Sequence, residues 1–289
     1  MLMKRKKKDL TQWMSLPALL LYCLFFVYPL LKGVGMSLTD WDGMGEAHFI
    51  GLANFARFFQ DPRAMGDIRT TLIFALGSAL LLNLVGLGYA LLMEKPFPGR
   101  SLARVMIYLP SIISPLIMGY IWYFLLQPGR GFLYRAAEQL NTVFFLGKWM
   151  NDYAVTMAVL IFVNVWQYAG MTMIIYLAGL QSISGDIREA ALMDGANAWQ
   201  RFTRVTLPLL MPSIRINVVT NVIGSLSVFD IIMALTEGGP GYSTESLSIY
   251  IMRMCYGSRT GYSTAVAMIL FFIILVPVLV SLRLTRERA

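Results

Sequence analysis

Six predominantly apolar stretches, each about long enough to cross a bilayer, constrain this chain more than any other feature. They run approximately Leu16–Leu38, Thr70–Met93, Val105–Leu126, Tyr153–Leu177, Ser213–Leu235 and Tyr262–Leu282. A helix crossing ~30 Å of hydrocarbon needs roughly 20 such residues. Closed β-barrels also satisfy their backbone in lipid, but their strands alternate apolar and polar positions. The run Leu76–Leu87 does not alternate, so the expected fold class is all-α integral membrane with six transmembrane helices. Composition agrees. Of 289 residues, 57% are hydrophobic and 14% charged, against about 25% charged in soluble domains. A water-soluble single-core protein and a disordered chain are thereby excluded. Cys23 and Cys255 form no CxxC pair, which excludes a disulfide scaffold, and His48, the one histidine, leaves no histidine-based metal site.

The basic N-terminus, residues 1–14 with Lys4 to Lys8, resembles a signal-peptide n-region. The apolar run behind it exceeds the ~7–15 residues of a signal h-region and no A-x-A site follows, so it reads as a retained first helix. With the N-terminus in the cytoplasm, alternating spans put 15 Lys and Arg inside and nine outside. Net charge is then +9 inside, zero outside and −1 within the membrane. This is the positive-inside pattern of a cytoplasmic (inner) membrane protein with both termini cytoplasmic. The formal charge of +8 is explained by orientation, and no nucleic-acid partner is needed. The chain reads as one membrane domain, 1–289, with the lipid bilayer as its first partner.

The inner loop of about residues 180–212 is no simple connector. Ser184 or Asp186 is placed to cap a helix, and Asp186 with Glu189 has capping-box spacing. Gly195 ends that helix or admits close approach of another chain. A second amphipathic piece carries Trp199, Phe202 and Val205 on one stripe, and Pro208 and Pro212 are expected to stop it at the membrane. One reading is an interfacial helix resting on lipid. The other is a docking element for a soluble partner, because two alanines beside one acid make a poor lipid anchor.

Glu189-Ala190-Ala191, then Asp194-Gly195, then Leu207-Pro208 resembles the EAA motif of permease subunits of binding-protein-dependent ABC importers. The fuller string, with Phe202 and Pro212, is similar to the sugar branch, related to the maltose and glycerol-3-phosphate permease subunits. Phe26-Val-Tyr-Pro29, Gly51-Leu-Ala-Asn-Phe55 and Leu235-Thr-Glu-Gly-Gly-Pro240 with Thr244 and Leu247 agree with it. The resemblance implies a type I importer permease fold, with the loop between helices 4 and 5 as a coupling helix. It also implies a second homologous permease, two cytoplasmic ATPase subunits that bind Mg-ATP, and an extracytoplasmic substrate-binding protein. This chain would hold no cofactor and hydrolyse no ATP. Glu189, Ala190, Ala191, Asp194 and Gly195 become the docking positions, and Leu207 and Pro208 set the turn back into the membrane. The chain lacks the extra N-terminal helices and large inserted outer loop of the maltose subunit, which implies a plain six-helix permease.

Polar side chains interrupting apolar helices mark the expected substrate path. Asn164, Gln167, Tyr168 and Met171 share a face of the fourth span, and Asn217, Asn221 and Ser225 a face of the fifth. Amides, hydroxyls and an aromatic ring suit a neutral sugar, although ordinary interhelical hydrogen bonding uses the same residues. Asp230 falls near the outer end of the fifth span as a solvated or Arg-paired acid. Cys23 reads as buried, Cys255 as a loop-end thiol, and Gly238–Gly241 as a turn. Two other classes stay open. A stand-alone ion-driven secondary transporter would favour inverted repeats and midplane acids. An intramembrane enzyme would need a catalytic constellation such as H-E-x-x-H. None of these features is found. Glycerol-3-phosphate is the alternative substrate within the ABC reading.

Overall fold

A computed structural model describes residues 15–140 and 149–284. The basic segment 1–14 expected in the cytoplasm lies outside them, as do Lys148, Arg286 and Arg288. The described residues are helical apart from turns, loops and one isolated bridge, Thr39 with Phe49. Four helices are long and apolar enough to cross a membrane, and up to six spans result if each of two bent helix pairs counts as one. The residues group into two units, one drawn from Met1–Asp61 and Ile251–Ile269, the other from Pro62–Tyr250 and Leu270–Ala289.

In the first unit, α1 (Leu16–Ser37) contains a π-helical turn at Cys23–Val27. Pro29 follows directly. Its ring crowds the carbonyl four residues back and it donates no N–H, and the wider π-turn relieves that crowding. The large side chains of α1 are exposed, Phe25 by 73%. Cys23, expected to be buried, is exposed for the same reason. Helix α2 (Ala53–Gln60) is tied back to the end of α1 by Asn54. Its buried Nδ2 donates to the Ser37 and Thr39 carbonyls at 2.9 and 2.8 Å, filling acceptors that the last turn of a helix leaves open.

In the second unit, α3 (Pro62–Glu94) and α7 (Tyr153–Ser182) pack along their lengths. Small residues permit this. A Cβ on Gly86 would overlap Thr172, and one on Gly77 would crowd Ile161. Phe74, Leu160, Val163 and Ile232 belong to one buried cluster, and Ala90, Met173, Tyr176 and Leu210 to another. Tyr176 donates its hydroxyl to Asn83 Oδ1 at 2.6 Å.

Three expected spans differ from the structure. The second begins at Pro62, ahead of Thr70. The third is broken. Helix α4 (Arg100–Ile112) and α5 (Pro115–Leu126), the latter followed by the short α6 (Phe132–Gln139), meet at 99°. Pro115 disfavours helical geometry at Ser114, which is extended (φ −53°, ψ 134°). The fifth, expected as one helix over Ser213–Leu235, ends at Leu226, where α10 (Met211–Leu226) stops. Asp230 then opens a separate short helix, α11 (Asp230–Thr236), and its carboxylate favours a helix N-terminus over a helix interior. Asp230 is exposed and sits outside any continuous span.

The segment after α11 folds on Thr236 and Thr244. Their hydroxyls lie 3.0 Å apart, and Thr244 Oγ1 also donates to the Gly239 carbonyl at 2.6 Å. The Gly239–Pro240 bond is cis. Beyond it Glu245, fully buried, accepts two hydrogen bonds from Arg63, from Nε at 2.7 Å and Nη2 at 3.0 Å. The guanidinium lies 3.6 Å from the Tyr242 ring centroid. A planar, bidentate, ring-stacked site of this kind suits arginine and not lysine. Ser246 Oγ donates to the Val228 carbonyl, and Thr71 Oγ1 accepts from Leu247 N, so the segment is fastened to α3 and to the α10–α11 joint. Arg63→Ala takes the charged partner from a buried carboxylate and should cost about 3–5 kcal/mol. Denaturant unfolding in detergent should show Arg63→Ala as less stable than Glu245→Gln, since Arg63 keeps access to water (28% exposed); equal stability of the two would contradict this account.

Candidate functional site

A cavity of about 400 Å³ lies between α7, α10, α3 and the α4–α5 break. Five of the seven candidates line it: Asn164, Tyr168 and Met171 from α7, and Asn221 and Ser225 from α10. Ser111, Thr172 and Thr220 add hydroxyls. Asp230 is the one charged side chain on its wall among the described residues, a position that sequence reading left without a role. Its signal was present as a lone acid within an apolar run.

Gln167 and Asn217, expected on the same path, do not line the cavity. Gln167 is fully buried, and its Nε2 donates to the Ile113 carbonyl at 3.0 Å, at the α4–α5 break. That carbonyl lost its helical partner where the chain bends, and a buried amide replaces it. Asn217, 1% exposed, donates to the Thr172 carbonyl across the α7–α10 contact at 3.3 Å. Asn221, facing the cavity, shares a longer amide–hydroxyl contact with Thr172 Oγ1 at 3.3–3.4 Å.

The 180–212 segment forms α8 (Gly185–Met193) and α9 (Ala198–Leu209). Between α7 and α8 the backbone is extended at Ile183 and Ser184. The capping box expected at Asp186 and Glu189 is not formed. Ser184 holds the N-cap position without a side-chain bond. The box lies instead at the start of α9, where Asn197 and Gln200 exchange two bonds of 2.9 Å. Asp186 and Glu189 stay solvent-facing, free to complement the α8 N-terminus electrostatically.

Gly195 ends α8. Its φ is +72°, the Ala196 N–H reaches the Ala191 carbonyl at 3.1 Å, and the Gly195 N–H reaches Leu192. These are the paired bonds of a Schellman cap, which needs a left-handed residue. Glu189, Ala190, Asp194 and Gly195 are exposed, while Ala191 is buried. Around them Leu192, Met193 and Trp199 are exposed by 53, 89 and 71%, an uncovered apolar rim.

Pro208 and Pro212 do not end the segment. Each occupies the first turn of a helical piece, where a missing N–H costs nothing. A π-turn at Phe202–Thr206 precedes them, and α9 meets α10 at 69°. Leu207 is half-buried and Pro208 exposed at that bend. A Cβ on Gly179 would overlap Ser213, so α7 and α10 touch just past the bend.

Bent helical spans around a polar cavity, with a surface helix pair between the two helices that wall it, define a multi-pass membrane permease. Residues 82–286 match the model of the binding-protein-dependent transport system inner membrane component, and the chain belongs to that family. It is 31% identical to the probable starch degradation products transport system permease protein AmyD of Thermoanaerobacterium thermosulfurigenes, over 98% of this chain and 96% of that one. It is 29% identical to the trehalose/maltose transport system permease protein MalF of Thermococcus litoralis, over 99% and 97%. Its structure is similar to a chain of a bacterial alginate ABC transporter solved with its alginate pentasaccharide-bound periplasmic protein. That match has a TM-score of 0.82 at 26% identity and covers 99% of this chain and 97% of the other.

Gly195→Val places a branched side chain at positive φ and should destabilise the α8 cap by about 1–2 kcal/mol. Hydrogen exchange of the 190–197 amides checks this. Protection equal to wild type would show that the cap does not depend on glycine.

Proposed function

We propose that this chain is a permease subunit of an ABC importer for neutral mono- or oligosaccharides. The observation that carries the reading is the cavity itself. Two amides, several hydroxyls and the Tyr168 ring converge on one space between α7 and α10. Such groups exchange hydrogen bonds with sugar hydroxyls and offer an apolar face to a pyranose ring. The wall has no Lys or Arg among the described residues, and its one charge is the Asp230 carboxylate. That sign opposes phosphate or carboxylate and favours a neutral carbohydrate over glycerol-3-phosphate. The names of the relatives, starch products and trehalose/maltose among them, support the carbohydrate class.

In this reading a second, homologous permease closes the other side of the path, and a binding protein delivers substrate from outside. Two cytoplasmic ATPase subunits bind Mg-ATP and seat on α8 and its exposed rim. Glu189 supplies a charge-assisted hydrogen bond, Ala190 a low-profile contact, and Asp194 with Gly195 the end of the inserted helix, while Ala191 is buried and does not face the partner. ATP favours one of two arrangements of the permease pair by binding it more tightly, which biases alternating access. The positive-inside charge pattern puts both termini and α8 in the cytoplasm.

The test is ATPase activity of the assembled transporter in lipid, with its binding protein, across neutral, acidic and phosphorylated sugars. Stimulation by a neutral sugar is expected. Stimulation by uronates or phosphate esters alone would sink the neutral assignment, and uptake that follows an ion gradient without any ATPase would sink the whole reading. Asn221→Ala should raise the half-saturating sugar concentration about 3–10-fold, the size of one lost hydrogen bond of about 1 kcal/mol. Glu189→Lys should strip the ATPase subunits from the purified complex while leaving membrane insertion intact. Normal transport by that variant would refute the docking role.

A further inference from the structure

Helix α8 is not a rigid extension of α7, because the backbone between them is extended at Ile183 and Ser184. A push on α8 therefore has no continuous helix through which to reach the membrane. Arg188 spans that joint. Its Nη1 donates to the Glu94 carboxylate and its Nη2 to the Leu180 carbonyl, the latter at 2.6 Å. Among the described residues it is the α8 side chain that hydrogen-bonds to the membrane helices.

Both acceptors are strategic. Leu180 is fully buried in the last turn of α7, in the cluster that also holds Met173, Tyr176 and Leu210. Glu94 is the last residue of α3. The carbonyl of its neighbour Met93 accepts from Arg100 Nε at 2.6 Å and from Arg104 Nη2 at 2.9 Å, so the end of α3 is fastened to α4. One guanidinium thus binds α8 to α7 and α3, and through α3 to α4. Helices α3, α4 and α7 all contribute residues to the cavity wall. Partial burial strengthens the link, since the Arg188 and Glu94 side chains are 37 and 25% exposed. Only a planar, two-pronged donor reaches both acceptors together, which an ammonium does not.

We propose that Arg188 is the positioning residue that transmits displacement of α8 to α3 and α7, and that breaking its clasp uncouples ATP hydrolysis from transport. This rests on the reading that α8 seats the ATPase. Arg188 would not itself hold the ATPase, because its guanidinium faces the membrane helices, whereas Glu189 and Ala190 face outward.

The test compares Arg188→Gln, Arg188→Lys, Glu94→Gln and the charge exchange Arg188→Glu with Glu94→Arg, in the whole transporter with its binding protein. Three quantities are read: ATPase co-purification, sugar transported per ATP hydrolysed, and stimulation of ATPase by loaded binding protein. The expected result is retained co-purification with about a tenfold fall in transport per ATP for Arg188→Gln. A smaller fall is expected for Glu94→Gln and for Arg188→Lys, with partial recovery on charge exchange. Should Arg188→Gln fail to fold, Glu94→Gln carries the test, because it removes the ion pair and leaves the bond to Leu180. Wild-type transport per ATP in both single neutral variants would overturn the proposal. So would loss of the ATPase subunits from Arg188→Gln, which would make Arg188 a docking residue. Glu189→Lys separates the two ideas. If it strips the ATPase while Arg188→Gln couples normally, the clasp alone is wrong; if it too assembles and transports normally, the seat on α8 is wrong.

Discussion

A backbone carbonyl or N–H with no partner is expensive in hydrocarbon, and the rest of this structure is arranged around that cost. Straight helices meet it internally. This chain is interrupted where the third span breaks at Pro115 and where the fifth stops at Leu226, and each interruption strands a backbone acceptor. The repairs are made by side chains. Gln167 fills the Ile113 carbonyl at the α4–α5 break, Ser246 the Val228 carbonyl between α10 and α11, and Arg100 with Arg104 the Met93 carbonyl at the end of α3. Asn54 does the same for the end of α1. Each repair is also a crosslink, because donor and acceptor belong to different elements. Polar residues in this chain thus have two uses that look alike in sequence, closing a broken backbone and facing a cavity.

That ambiguity explains which part of the site was legible. The number of spans follows from hydropathy, and the 180–212 segment from a local motif, so both were visible. The broken spans were less so, since averaging over about twenty residues passes across Pro115 and Asp230, the two residues that mark the interruptions. The stripes along α7 and α10 were legible only in outline. At about 100° per residue, Tyr168 and Met171 fall within about 40° of Asn164, whereas Gln167 lies about 60° to one side. That rotation takes it out of the cavity and towards Ile113. On α10 each four-residue step drifts by about 40°, so Asn217 and Ser225 lie about 80° apart, and Asn217 faces α7. The Arg63–Glu245 pair had no sequence signal, since its members are 182 positions apart and neither belongs to a local pattern.

Electrostatics divide along the same lines. The carboxylates that fasten elements are paired, Glu245 with Arg63 and Glu94 with Arg188. Their charges are held by planar guanidinium groups that also engage a ring or a carbonyl. Asp230, on the cavity wall, is exposed, and water stabilises its charge at little cost. Under the proposed function, a ligand closing over Asp230 would strengthen both attraction and repulsion there, because the local dielectric would fall.

Asn83 in the frame and Asn221 at the cavity differ in hydrogen-bond length. Tyr176 to Asn83 is 2.6 Å and Asn83 to the Ala79 carbonyl 2.7 Å, short bonds deep in the α3–α7 contact. The Asn221–Thr172 contact at the cavity is 3.3–3.4 Å, beyond the usual optimum and therefore weak. Under the proposed function, a sugar hydroxyl that replaced it would give up little and gain an amide partner. The same replacement at Asn83 would break a short bond and open the packing between two helices. Under the proposed function, the asparagine open to a substrate, Asn221, is one whose internal partner is poor, whereas Asn83, whose partners are good, holds α3 to α7.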